Sequence, residues 1–208
     1  MESAEWEALR AELDRAGVSG AEDLGRFVSN VEFFEASAFD EKAAMQVLLD
    51  ALPRLADARL VSAVAGHLRR PWARPHAFDG LLGAFDRWAT VDSTAAWHLG
   101  DALGSAATID RLDVLLRVCR TPEYGTARQM PVLALGRFKK SADVAPVLIE
   151  LIHDPEVGLH AMGALRRVIG ASEALAHVEE VERAHRGTSL GDQAARQAKK
   201  LRKAQPAR

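Results

Sequence analysis

The sequence predicts an all-α fold, an α-solenoid of stacked antiparallel helix pairs, and three observations predict it. The first is a helical punctuation that comes back. Ala102-Leu103-Gly104 returns as Ala134-Leu135-Gly136 and, blurred, as Gly163-Ala164-Leu165-Arg166. The steps are about 30 residues, which is the period of helical units that pack only on their neighbours. The second is composition. Ala and Leu dominate, β-branched runs are few, and 48% of the residues are apolar, enough for a continuous helical core. The third is spacing. Apolar residues recur three to four positions apart, with neither the Val-Ile-Thr alternation nor the Asn-Gly turns that would signal strands.

Taken in order, residues 1–38 read as an N-terminal helical cap, which a solenoid needs to close its exposed end. Within it, 2–16 is amphipathic through Trp6, Leu9 and Leu13, and Gly17 to Gly20 ends that helix. The stretch 21–36 presents Leu24, Phe27, Val28, Val31 and Phe34 on one side. Asp40 then caps a helix over 41–55 that turns Ala44, Val47, Leu48, Ala51 and Leu55 inward, with Pro53 in its last turn. Further helices are expected over 58–69, 75–88, 93–105, 110–120, 126–138, 143–153, 156–169, 172–185 and 189–203. Asp92, Asp110, Ser141 and Ser172 are the expected N-caps, and Asp154-Pro155 places an N-cap before a first-turn proline. The connections are short, so successive helices should be antiparallel neighbours. Residues 39–203 thus make about five helix pairs, residues 204–208 a frayed tail, and the whole a single domain without a linker.

Charge narrows the partners. Formal net charge is −2, so no global pull towards nucleic acid or membrane is expected. The distribution is uneven: residues 1–50 carry a net −8 and residues 166–208 a net +5. This is either a set of unequal solvated faces or a dipolar body whose ends select partners. The basic end, Lys199-Lys200-Leu201-Arg202-Lys203, lacks interleaved aromatics and reads as the polar face of a capping helix. Cys119, the one cysteine, lies in the apolar run Leu115-Leu116-Arg117-Val118-Cys119 and is expected to be a buried reduced thiol. No apolar signal core or run of ~18 residues is present, so a cytoplasmic monomer is expected.

Several stretches carry a family likeness. Asp143 to Ile152, then Asp154-Pro155-Glu156-Val157, His160-Ala161 and Ala164-Leu165 resemble a HEAT repeat of the bacterial HEAT-like class. Trp72-Ala73-Arg74-Pro75, Trp97 with Gly100-Asp101-Ala102-Leu103, and Tyr124-Gly125 with Arg128-Gln129-Met130 are similar to small, mostly uncharacterised members of that class. The likeness runs from about Phe39 to Leu201. Asp101 stands where the family usually has Asn, and Pro131 replaces an apolar residue, which should bend the 126–138 helix by removing a backbone donor. The resemblance implies a solenoid scaffold that binds a protein or peptide. Some relatives are chromophore lyase subunits, and one branch excises alkylated bases from DNA.

The candidate site residues follow from both readings. Trp97 and Asp101 are four apart and share a helix face, opposite the core positions Ala96, Leu99, Leu103 and Ala106. An aromatic beside a carboxylate on a non-core face suits an interface anchor. The alternative is that Trp97 packs into the next repeat and Asp101 pairs with a neighbouring Arg. Tyr124 and Arg128 enter the following helix. Arg128 either points into a groove, where its fork suits a carboxylate or phosphate, or forms a salt bridge to Asp101 or Asp154. Arg74 begins the 75–88 helix, and His76 beside it reads as solvated. His160 sits among apolar residues, as a structural His does. The expected concave partner-binding face is therefore Arg74, Trp97, Asp101, Tyr124, Arg128 and His160.

No catalytic residue, cofactor or metal is expected. There is no phosphate-cradling Gly loop and no Gly-x-Ser-x-Gly, and no His, Cys, Asp and Glu set has metal-ligand spacing. An enzymatic alternative rests on Trp88-Ala89-Thr90-Val91-Asp92, which resembles the Trp-Asp-x-Val-Asp segment of HEAT-like alkylpurine glycosylases. Asp92 would stabilise the sugar cation and Trp88 would stack on the lesion. Ala89 replaces the first Asp of that segment, and Asp92 has a simpler use as a helix N-cap.

Overall fold

The structure is a computed structural model that describes residues 3–28 and 39–204. Among these residues there are eleven α-helices, short 3₁₀ segments and no strand, so the fold class is all-α. The chain divides into two compact units, Met1–Thr108 and Ile109–Arg208.

The first unit opens with α1 (Ala4–Arg15), which buries Trp6, Leu9 and Leu13. The stretch expected to be helical from residue 21 is a 3₁₀ segment over Ala21–Val28, where Gly25 weakens a regular helix. Val31 and Phe34 lie outside the described residues. Next come α2 (Glu41–Ala51), a 3₁₀ turn over Leu52–Arg54, and α3 (Ala58–Leu68). Pro53 ends α2 four residues earlier than expected, and Val47 is only half-buried while Ala44, Leu48, Ala51, Leu52 and Leu55 fill the core. Asp40 caps α2 by accepting from Ala43 N at 3.0 Å.

Every residue of α3 from Leu60 to Leu68 is buried, so this helix is covered all round. It is covered by α2, by the 3₁₀ segment before it and by α5 (Ser93–Ala106), to which α4 (Arg74–Trp88) leads. Asp57 caps α3 through Arg59 N and Leu60 N, and its other oxygen accepts from Ser3 Oγ (2.7 Å) and Trp6 Nε1 (3.1 Å). One carboxylate therefore starts α3 and ties it to α1.

The second unit begins with α6 (Leu112–Arg120). The helix expected over 126–138 is three short pieces: a 3₁₀ stretch over Pro122–Arg128, α7 (Gln129–Ala134) and a 3₁₀ turn over Leu135–Arg137. Gly125, with φ +52, interrupts the 3₁₀ stretch just before the expected helix, and Pro131, expected to bend that helix, sits within the six-residue α7. Then follow α8 (Val144–Leu151), α9 (Gly158–Ile169), α10 (Ala171–Ala184) and α11 (Ser189–Lys203).

Three expected caps are displaced. Arg111, Asp143 and Gly170 occupy the cap positions assigned from sequence to Asp110, Ser141 and Ser172. Asp154-Pro155 opens a turn, with Asp154 Oδ1 accepting from Glu156 N, and α9 starts three residues after Pro155. The last helix has a cap that spacing did not single out, Thr188, whose Oγ1 accepts from Gly191 N.

Within each unit, some contacts across elements span about 30 residues of sequence. Arg74 bonds Ser105, 31 residues on, and Arg120 bonds Glu150, 30 residues on. Gly136 faces Ala164 so closely that a Cβ would come within 3.3 Å of its Cα. The second copy of the Ala-Leu-Gly punctuation therefore lies directly on the third.

Candidate functional site

In the first unit, helix periodicity puts Trp97 and Asp101 one turn apart on α5, while Ala95, Ala96, Leu99, Leu103 and Ala106 face the core. Trp97 is half-buried, and its ring meets His98 edge-on with centroids 5.1 Å apart. Asp101 Oδ2 accepts from Arg69 Nη1 at 2.6 Å, the pairing with a neighbouring Arg that was the alternative reading of Asp101, so the end of α3 is tied to the middle of α5. Burial holds His98 below the usual histidine range; Asp101 opposes that and Arg69 reinforces it. Arg74 Nε donates to Ser105 O at 2.9 Å, satisfying a carbonyl in the last turn of α5. The patch therefore holds a partly exposed indole, a neutral imidazole and a charge pair within two turns of one helix. The Arg69 side chain is 38% exposed and Asp101 17%, so the pair reaches solvent.

The second unit treats its candidate residues differently. Arg128 is 2% exposed. Its Nε donates to Gly125 O (3.0 Å), Nη1 to Cys119 O (3.3 Å), and Nη2 to Asp154 (2.8 Å) and Glu156 (3.2 Å). The expectation that Arg128 points into a groove is corrected: the guanidinium is turned inward, and the alternative salt bridge to Asp154 is the one that forms. Burying this cation without partners would cost several kcal/mol, and two carboxylates and two carbonyls offset that. Tyr124, in the 3₁₀ stretch before α7, is half-buried. His160 on α9 is half-buried as well, its pKa lowered by burial, and its Nδ1 is enclosed without a hydrogen-bond partner. The structure thus gathers Arg74, Trp97 and Asp101 around α5, leaves Tyr124 and His160 as partly buried as those three, and withdraws Arg128 into the core.

Asp92 accepts from Thr94 N (3.0 Å) and Ala95 N (2.8 Å) and so caps α5. Trp88 is 6% exposed, packed into the core with Arg87 over its ring. Cys119 is fully buried, and burial pushes its thiol far up, which makes it a poor nucleophile.

Four polar residues, Arg69, Glu41, His67 and Arg70, were missed from the sequence. Arg69 is the partner of Asp101, 32 residues away. Glu41, His67 and Arg70 form the second group. Glu41 accepts from Arg70 Nε (2.5 Å) and Nη2 (2.8 Å) and faces His67 Nδ1 (3.1 Å). Since a carbonyl oxygen only accepts, His67 Nε2 donates to Leu24 O at 3.1 Å. Burial alone would raise the Glu41 carboxyl, but the bonds from His67 and Arg70 hold it below the usual glutamate range. A search for opposite charges one repeat apart would have found the Arg69–Asp101 pair.

No family model matches the chain, and no curated protein or solved structure matches it either. The HEAT-like resemblance rests on the residues alone.

Proposed function

We propose that the protein is a non-enzymatic binding module built of HEAT-like helix pairs, and that it takes a protein or peptide partner on the α5 surface of its first unit. The observation that carries this reading is Trp97: a large aromatic that stays partly exposed on a helix whose core face is made by Ala95, Ala96, Leu99, Leu103 and Ala106. An indole offers much apolar area at low entropic cost, and aromatics with Arg dominate interface energetics. Beside it, the Arg69–Asp101 pair supplies both a donor fork and a carboxylate to orient a partner's polar groups. The repeat architecture is supported by contacts at 30 to 32 residues within each unit. It is supported too by the packing of α3 on α5, and of α7 on α9.

The test is capture by the tagged chain from cells, wild type against Trp97→Ala. The variant should lose the captured protein with unchanged helicity and a melting temperature within a few degrees. Identical capture by both forms sinks the α5 assignment.

A further inference from the structure

Outside the α5 patch, the ends of two packed helices in the second unit bring a set of cations together. The 3₁₀ turn that follows α7 packs against α9, and Gly136 in that turn lies on the last turns of α9. A Cβ at Gly136 would come within 3.0 Å of Arg167 Cδ, so the bare glycine leaves room for the Arg167 stem to cross the turn. Arg137, Lys139 and Lys140 follow Gly136 directly, and Arg166 precedes Arg167 on α9. All five of these residues are exposed. Arg137 holds its guanidinium over the Phe138 ring, 5.2 Å from the centroid.

The first unit neutralises such cations. Arg69 and Arg70 follow α3 directly, and each meets a carboxylate, Asp101 at 2.6 Å and Glu41 at 2.5 Å. In the second unit, the side chains of Lys139, Lys140, Arg166 and Arg167 form no hydrogen bond or ion pair with any described residue. Asp143, the acid nearest Lys140 in sequence, accepts from Ser141 Oγ at 3.5 Å. The negative end of a helix favours Arg166 and Arg167 in the last turn of α9. It does less for Lys139 and Lys140, which lie beyond the 3₁₀ turn. The bias extends to the whole unit. Residues 109–208 hold seventeen Lys and Arg against twelve Asp and Glu, whereas residues 1–108 hold ten against seventeen.

We propose that Arg137, Lys139, Lys140, Arg166 and Arg167 form a second docking surface, and that it takes an extended segment rich in Asp and Glu on a partner protein. Charge complementarity selects that occupant. The guanidinium forks suit carboxylates, and the flexible lysines follow acids at irregular spacing. Membrane insertion and base stacking both need exposed apolar or aromatic side chains between the cations. The one within the turn, Phe138, is half-buried beneath Arg137. A long nucleic acid duplex would meet a chain of net charge −2, which offers it no general attraction. A short acidic segment needs only the local cations. The surface belongs to the second unit and stands independent of the α5 reading.

The experiment is fluorescence anisotropy of the tag-free full chain with a labelled peptide of Glu, Asp and Gly, beside a labelled DNA duplex of matched charge. Wild type should bind the peptide more tightly than the duplex, with affinity falling about tenfold between about 0.05 and 0.3 M salt. Two double variants, Lys139→Gln with Lys140→Gln and Arg166→Gln with Arg167→Gln, remove charge while keeping aliphatic stems. Each should weaken the peptide about tenfold at low salt and melt within a few degrees of wild type. The control is Arg183→Gln with Arg186→Gln, exposed cations by the α10–α11 turn. That turn sits at the opposite end of α9, where a Cβ on Gly158 would come within 2.7 Å of Leu190 Cδ1. The control should stay within about twofold of wild type. An equal loss in the control makes the attraction general to the unit. Duplex binding as tight as the peptide makes the surface a phosphate binder, and no peptide binding leaves a solvated edge. Each of these three results overturns the proposal.

Discussion

The two units each contain an arginine–aspartate tie, between residues 32 apart in the first and 26 apart in the second, and the two arginines differ in burial. In the first unit, Arg69 and Asp101 meet at 2.6 Å with Arg69 38% exposed. In the second, Arg128 and Asp154 meet at 2.8 Å with Arg128 2% exposed. The same pairing chemistry thus serves two ends. Where the guanidinium is enclosed, its donors are consumed by Gly125, Cys119, Asp154 and Glu156, and the residue is part of the core. Where it is more open, more of the Coulomb gain is screened by water. Residue type alone does not separate a stitch from a site; solvent exposure does.

That contrast can be broken or sharpened by substitution. The largest effect is expected from Arg128→Ala, which strands two carboxylates and two carbonyls around a cavity. It should destabilise the protein by about 3–5 kcal/mol in denaturant unfolding. A loss under 1 kcal/mol would mean the enclosed tie behaves like the open one. Next comes Glu41→Gln, expected to cost about 2 kcal/mol at neutral pH, because it weakens bonds from Arg70 and His67 to a charged acceptor.

Its pH dependence is the sharper readout. Glu41 keeps its charge in the folded chain to lower pH than its ordinary value of 4.5. Its contribution is therefore present above that value and is lost as the pH falls through the depressed folded value. Stability measured from about pH 6 to 3 should fall less steeply in Glu41→Gln than in wild type. Equal slopes would remove Glu41 from the acid response. The smallest effect is expected from Asp101→Asn, about 1 kcal/mol, since its partner Arg69 is 38% exposed and the pair is partly screened. A loss like that of Arg128→Ala would show that the Arg69–Asp101 pair is structural and weaken its assignment to a binding surface.

Much of the helical scaffold was legible because it depends on local chemistry. Trp6, Leu9 and Leu13 predict α1, and the Asp40 and Asp92 carboxylates cap the helices expected of them. The helix over 126–138 was misread because apolar spacing continues straight through it. Pro131 marked a bend there in advance, whereas the positive φ of Gly125, just before the expected helix, leaves no trace in apolar periodicity. The site was legible only in part. The non-core face of α5 follows from helix geometry, so Trp97 and Asp101 could be placed. The burial of Arg128 could not, because it depends on where the turn carrying Asp154 and Glu156 comes to rest. The hydrogen bond between His153 Nδ1 and His185 Nε2, at 3.3 Å, is likewise a meeting of two turns, and no spacing within one helix announces it.

The burial of Cys119 has one more consequence. It is the only sulfhydryl in the chain, it is fully enclosed on α6, and its raised pKa keeps it from ionising at neutral pH. A thiol-reactive dye can reach it only when the second unit opens. The protein therefore carries its own unfolding clock. With reagent in excess, the labelling rate of unmodified protein counts openings around α6 and leaves the first unit silent. Loss of Arg128, whose Nη1 donates to the Cys119 carbonyl, would speed that clock.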